Sequence, residues 1–142
     1  FNAASGIVAS LSNGATVNGQ ETGFGDGGVA RGDLYFEIEN LVGSRFADRL
    51  TGSSERNQLN GLEGDDFIFG RGNTDYMKGG AGNDVIDGGD GADYALFSGN
   101  SADYTLTRAG NEVTVTGADG TDRLIDVEYF RFDNGDVTIW EL

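Results

Sequence analysis

The sequence predicts an all-β chain: a stacked solenoid in the middle, a strand and loop segment before it, and a strand-built cap after it. Three observations carry this. Between Gly43 and Leu96 the chain divides into six consecutive nine-residue blocks without gap or insertion: GSRFADRLT, GSSERNQLN, GLEGDDFIF, GRGNTDYMK, GGAGNDVID and GGDGADYAL. Three columns of the blocks are nearly uniform. Position one is Gly43, Gly52, Gly61, Gly70, Gly79 and Gly88; position six is Asp48, Asn57, Asp66, Asp75, Asp84 and Asp93; position eight is Leu50, Leu59, Ile68, Met77, Ile86 and Ala95. After Leu96 the glycine phase ends and alternating apolar and polar residues take over. A fixed short period in several columns marks a stacked-coil architecture. The expected divisions are 1–42, 43–96 and 97–142, all within one structural domain.

Residues 1–19 read as a strand and turn, with Ile7, Val8 and Leu11 on its apolar face and Ser12-Asn13-Gly14 as the break. Residues 19–33, GQETGFGDGGVARGD, read as a long surface connection. Its Asp26 and Asp33 are either solvated loop acids or ligands of an extra cation. Nine residues back from Gly43, LYFEIENLV puts Glu39 at position six and Leu41 at position eight. The stack is therefore expected to reach upstream by one irregular block, with Glu39 on the edge of Asn57.

Each block divides into a six-residue turn and a three-residue strand. Glycines at positions one, two and four permit positive φ and close backbone approach. The last three residues alternate outward, inward, outward, which turns position eight toward a shared interior. One block cannot bury that side chain, but stacked neighbours can.

At these residues the chain resembles the RTX calcium-binding repeat family, whose pattern is GGxGxDxUx with U a large apolar residue. Blocks 79–87 and 88–96 match it almost fully. The resemblance implies a right-handed parallel β-roll in which two blocks make one coil, so that block n lies beside block n+2. Turns 43, 61 and 79 would line one edge, and turns 52, 70 and 88 the other. Position-six carboxylates would then recur roughly 4.8 Å apart, the spacing of neighbouring strands. Such carboxylates repel, and the turns aim carbonyls into the same gaps. A hard cation with oxygen-only ligands answers both, which describes calcium. Turn preference alone would account for Gly and Asp, but not for their fixed phase.

On the family pattern, the 61/79 gap pairs Asp66 with Asp84, with Gly61, Glu63, Gly80 and Gly82 as carbonyl donors. The 70/88 gap pairs Asp75 with Asp93, with Gly70, Gly72, Gly89 and Gly91, although Asn73 stands at position four. The 43/61 gap offers Asp48 and Asp66 behind a coarser turn carrying Phe46. The 52/70 gap sets neutral Asn57 opposite Asp75. Two good sites, one fair and one weak are expected, hence about two to four calcium ions.

The same pairing lays Arg49, Phe67 and Val85 along one outward row and Gln58, Tyr76 and Tyr94 along the other. Both rows become apolar toward their C-terminal ends, so the cap is expected to fold back over them. A sugar-stacking platform of Phe67, Tyr76 and Tyr94 is the sharper alternative. In the cap, 103–108 and 112–116 alternate around Ala109-Gly110-Asn111, a hairpin signal. Further strands are expected over 123–132 and 136–141, around Asn134-Gly135. The whole is an antiparallel β cap over the apolar end of the stack. Asp33-Leu-Tyr-Phe-Glu-Ile-Glu-Asn-Leu echoes Asp122-Arg-Leu-Ile-Asp-Val-Glu-Tyr-Phe, which reads as two copies of a capping or bridging element. The stretch from Asp136 to Trp140 reads equally as a last buried strand or as a faint type I secretion tail.

Composition narrows the function. Twenty-four acids against nine bases leave −15 at neutral pH, which opposes collapse without counter-ions. Four calcium ions, two charges each, would bring this to about −7. Such acidity argues against binding nucleic-acid phosphates. With no Cys and no His, disulfide, zinc–thiolate and histidine-base chemistry are absent. No apolar run approaches a membrane span. Phe1 in place of Met suggests a segment of a larger polypeptide.

The leading expectation is a non-catalytic calcium-binding module. The resemblance implies a secreted or cell-surface bacterial protein, exported to where calcium is plentiful. The alternative is a polysaccharide- or surface-binding, adhesin-like module using the roll face, with Arg45, Arg49, Arg56, Arg71 and Lys78 meeting an anionic glycan or merely balancing the stacked acids. A carboxylate-pair glycosidase finds no support, because the phase assigns the repeated acids to the cation.

Overall fold

The computed structural model describes residues 8–10 and 40–142. Glu39, Tyr35, Ile38, the glycine-rich connection with Asp26 and Asp33, and Ile7 and Leu11 lie outside the described residues. Thirteen strands are described: β1 (Val8–Ser10), β2 (Asn40–Val42), β3 (Arg49–Thr51), β4 (Gln58–Glu63), β5 (Phe67–Gly72), β6 (Tyr76–Ala81), β7 (Val85–Asp90), β8 (Tyr94–Leu96), β9 (Thr105–Ala109), β10 (Glu112–Gly117), β11 (Gly120–Ile125), β12 (Tyr129–Phe132) and β13 (Gly135–Thr138). Among the described residues the helical pieces are two three-residue 3₁₀ turns. No helix there is long and apolar enough to cross a membrane.

Successive repeat strands alternate between two sheets. One runs β1-β3-β5-β7-β11-β10-β9, the other β13-β12-β8-β6-β4-β2. The repeat strands pair in parallel with their neighbours two blocks away: Leu50 beside Ile68, Ile68 beside Ile86, Leu59 beside Met77, Met77 beside Ala95. The chain is therefore a two-sheet β-roll, as the repeats predict. Leu41 lies beside Leu59 in β2, so the stack does extend upstream of Gly43 at that position.

Position eight packs between the sheets. Leu41, Leu50, Leu59, Ile68, Met77, Ile86 and Ala95 are buried in two files, and Leu124 and Phe130 continue them. Each large side chain so buried contributes roughly 1.5–3 kcal/mol from area removed from water.

Three details differ from the sequence reading. The middle strands run six residues, from position seven through position three of the next block, so only three residues are left to turn. Strand pairing thus continues past the glycine, because the carbonyls flanking it still find partners in the next coil. Position-one glycines are required for space rather than for positive φ: a Cβ on Gly61 or Gly70 would overlap Oδ2 of that block's own aspartate. Positive φ falls instead on positions two and four, including Leu62 at 86° and Arg71 at 85°.

The third difference is the cap, which does not fold back over the outward rows. It extends both sheets end-on, and it is not wholly antiparallel. β11 pairs in parallel with β7, and β12 in parallel with β8. Antiparallel pairing is confined to the outer strands, β9 and β10 beyond β11 and β13 beyond β12. The expected strand over 123–132 is broken in two because β11 and β12 belong to different sheets. The expected last strand over 136–141 gives way to a 3₁₀ turn at Ile139–Glu141, where Thr138 and Glu141 form a reciprocal cap.

Candidate metal-binding edges

Position six closes each turn just before a strand begins, so its side chain points along the edge of the roll. Asp48, Asp66, Asp84 and Asp122 occupy one edge, all nearly fully buried. Asn57, Asp75 and Asp93 occupy the other, also buried, with Glu128 following them.

A repeated hydrogen-bond ladder builds each edge. The N–H of Asp48 donates to Oδ1 of Asp66, and that of Asp66 to Oδ1 of Asp84. On the other edge Asn57 donates to Asp75 and Asp75 to Asp93. The peptide carbonyl of each position-six residue accepts from position seven of the next coil, as Asp66 does from Val85 and Asp75 from Tyr94. Both carboxylate direction and strand register are thereby fixed.

One oxygen of each central carboxylate remains over. Oδ2 of Asp66, Asp75, Asp84 and Asp93 is buried without a hydrogen-bond partner. An unpaired buried carboxylate oxygen is costly and calls for a proton or a cation. Burial pushes the carboxyls of Asp66 and Asp75 up to about 7 and that of Asp93 up to about 6, against backbone N–H bonds that hold them down and neighbouring acids that add to the rise. Burial also raises Asp84, with Asp65 and Asp119 adding to it.

The first coil behaves differently. Oδ1 of Asp48 accepts the Ser44 hydroxyl at 2.9 Å. Oδ1 of Asn57 accepts the Ser53 N–H at 2.6 Å. The two positions ranked lowest from sequence are thus the ones served by local serine groups, while the four central aspartates keep an open oxygen.

The turn backbones face one another closely. The Leu62 carbonyl lies against the α-carbon of Gly80, and the Gly64 carbonyl against Gly82; on the other edge Arg71 faces Gly89 and Asn73 faces Gly91. The carbonyl of Gly61 lies against Gly43, that of Gly70 against Gly52. Position-one carbonyls therefore look to the preceding turn, and those of positions two and four to the following one. Glu63 and Gly72 sit at the ends of β4 and β5, on the same edges.

Among the described residues no three Asp or Glu side chains gather into one metal cluster. A cation here would take a pair of carboxylates and complete its shell from carbonyls and water. With neither His nor Cys in the chain, the donors are all oxygen, which suits a hard divalent ion.

The RTX calcium-binding nonapeptide repeat, in four copies, matches residues 42–77 and 69–99. The repeat segment belongs to the RTX calcium-binding family. The RTX repeat is a calcium-binding structural unit, not a catalytic one. Comparison with curated proteins gave no match. Among solved structures, the extracellular lipase LipA from Serratia marcescens is similar at 20% identity and a TM-score of 0.35, over 70% of this chain and 15% of the lipase.

Sequence reasoning missed Asp122 and Glu128. Gly117-Ala-Asp-Gly-Thr-Asp-Arg-Leu-Ile125 is itself a nonapeptide with Gly at one and four, Asp at six and Leu at eight. It lies beyond the RTX match and out of phase with the six blocks, so a search requiring uninterrupted phase passes over it. Asp84 donates its N–H to Oδ1 of Asp122, and Asp93 donates to Glu128, which continues both ladders into the cap. Burial raises the Asp122 carboxyl to about 7.

The outward row of the second sheet is an aromatic stack. Tyr76 and Tyr94 lie 4.8 Å apart at 8°, Tyr94 and Tyr129 4.6 Å apart at 14°. Their faces are spent on one another. Arg56 stands over Tyr76, Arg131 over Tyr94, and Trp140 meets Tyr129 edge-on. The row offers ring edges to solvent, whereas Phe67 is exposed on the opposite sheet.

Proposed function

We propose that this chain is a non-catalytic calcium-binding module that folds as its turns take up calcium. The observation that carries the reading is the file of buried position-six carboxylates, four of them with an unpartnered oxygen. Protein groups do not satisfy those oxygens, so the roll is stable only when protons or cations do. Binding confined to the folded state then stabilises it by mass action.

The ligands in this proposal are Asp66 and Asp84 in the 61/79 gap and Asp75 and Asp93 in the 70/88 gap. Asp48 supplies a weaker site and Asn57 the weakest. Carbonyls come from the glycine turns, with Leu62, Gly64, Arg71 and Asn73 added to the residues named from sequence because they face the following turn. Two to four ions result. Affinities of ~10⁻⁴–10⁻³ M, usual for extracellular modules, would keep the chain unfolded inside a cell and folded outside it. That behaviour, with the RTX repeats and the acidic composition, supports a secreted or surface bacterial protein in which this module serves a larger polypeptide.

The deciding experiment is circular dichroism of the metal-stripped chain during calcium titration at neutral pH. β signal should grow with calcium, and magnesium, which demands a smaller octahedral shell, should substitute poorly. A metal-stripped chain already fully folded, with a melting temperature indifferent to calcium, would refute the proposal.

A further inference from the structure

The repeat edge does not stop where the RTX match stops. From position four to position seven, turn 117–122 repeats against turn 79–84 the contacts that turn 79–84 makes against turn 61–66. At position one it differs, since Gly117 pairs antiparallel with Gly120 and packs on Tyr104. The Val85 N–H donates to the Asp66 carbonyl and the Arg123 N–H to that of Asp84, both at 2.8 Å. Asp66 donates to Oδ1 of Asp84 and Asp84 to Oδ1 of Asp122, both at 2.9 Å. At position five, Asn83 donates to Asp65 and Thr121 to the Asn83 side chain, at 2.8 and 2.9 Å. Gly64 donates to the Ala81 carbonyl and Gly82 to that of Asp119, both at 2.8 Å. The Gly82 carbonyl lies against Gly120, whose φ of 148° only glycine holds without strain, as the Gly64 carbonyl lies against Gly82.

Two observations beyond this likeness point to a ligand. Oδ2 of Asp84, on a side chain 1% exposed, has no hydrogen-bond partner and lies against Gly79, in the turn that forms one wall of this gap. Asp122 is itself 5% exposed and faces no cationic side chain in any described ion pair. The opposite edge supplies the contrast. There the chain passes from Ile125 to Glu128 through two residues, with no glycine turn, and only the Asp126 carbonyl lies over Gly88. Glu128 ends the ladder without building a cradle.

We propose that the gap between turns 79–84 and 117–122 is a further calcium site, closed by Asp84 and Asp122, which fastens the cap to the roll. It rests on the calcium reading above. The ion would join residues separated by 38 positions, and the β9–β10 hairpin would be a detour within one continuous edge rather than a separate cap.

The test is equilibrium dialysis of the full chain at about 1 mM calcium, in the range where extracellular modules saturate, with and without Asp122→Asn. The carboxamide keeps the oxygen that accepts the Asp84 N–H, so the fold is preserved while the charge is lost. One calcium fewer per folded chain is expected; an unchanged count in a folded variant overturns the proposal. If the unsubstituted chain binds no calcium, the functional reading itself falls and takes this site with it.

Should Asp122→Asn fail to fold, terbium gives a second measurement on an intact edge. The Tyr104 hydroxyl lies 3.4 Å from Oδ2 of Asp119, in the proposed turn. Tyr104→Phe should then remove a distinct share of tyrosine-sensitised terbium emission at unchanged terbium stoichiometry. Emission equal to that of the unsubstituted chain overturns the proposal.

Discussion

The amide of Asp84 donates to Oδ1 of Asp122 at 2.9 Å, the same bond that joins Asp66 to Asp84 one coil earlier. A residue of the repeat and a residue of the cap are thus consecutive rungs of one ladder. The consequences of losing a rung can be stated by position.

Asp84→Ala should damage the chain far more than Asn57→Ala. The first removes a carboxylate shared by two gaps and strands the buried Asp66 N–H, at a cost of about 1–3 kcal/mol before any calcium is lost. The second removes a neutral group whose oxygen is engaged by Ser53. Calorimetric titration should show at least one calcium lost and a several-fold higher calcium midpoint for Asp84→Ala. Equal losses in both variants would refute the ranking.

Stability should depend on pH with opposite sign in the two metal states. Without calcium, burial holds Asp66, Asp75 and Asp122 at about 7 and Asp93 at about 6, against 3.8 for an aspartate in water. The folded chain then binds more protons than the unfolded one. This contribution is complete below pH 3.8 and is lost as pH rises through 6 to 7. Metal-stripped protein should therefore gain β signal on acidification from pH 8 to 5. With saturating calcium the order should reverse, because protons displace the ion. Identical metal-free spectra at both values would count against the burial argument.

Leu62 and Arg71 hold φ of 86° and 85°, a region that costs a residue with a side chain roughly 1–2 kcal/mol. Glycine recovers this but loses about 0.5–1 kcal/mol to the greater freedom of the unfolded chain. Leu62→Gly and Arg71→Gly should each stabilise the calcium-loaded roll by up to about 1 kcal/mol, whereas Leu62→Ala should not. Urea unfolding in excess calcium measures the difference.

A chain ending at Asn100 should fold only at higher calcium than the full chain. It keeps every position-six residue of the six blocks, but β7 loses β11 and β8 loses β12. Ile86 and Ala95 then face solvent where Leu124 and Phe130 covered them. Equal calcium midpoints for the two chains would show that the cap adds nothing to folding.

Much of this was legible in the sequence because the repeat fixes geometry locally. Gly61, Asp66 and Ile68 recur at one interval, and pairing two blocks apart follows once each Ile68-type residue must be buried beside another. The lower rank expected for Asp48 and Asn57 came from Phe46 at position four and from the missing charge of Asn57. The groups that engage these two side chains are instead Ser44 and Ser53, at position two, where the later blocks carry Leu62, Arg71, Gly80 and Gly89. The cap was less legible. Tyr104, Val113 and Val115 alternate as any antiparallel strand does, so the local pattern gave no hint that Leu124 and Phe130 return to the roll's own files. The echo between 33–41 and 122–130 held the clue: Leu41 and Phe130 occupy matching places in the first and last parallel-paired strands of one sheet.

Because each strand pairs with the block eighteen residues away, the molecule obeys a rule of parity. Removing 52–69 would shorten it by a coil and leave every later residue on its own sheet. Removing nine residues would carry everything downstream to the opposite side, so that Tyr76 and Tyr94 would follow the row of Arg49 and the turn at Gly117 would meet the wrong edge. Length in such a chain can drift only in even steps. A lone duplicated or deleted nonapeptide is a frameshift in space, even though the reading frame of the gene is untouched.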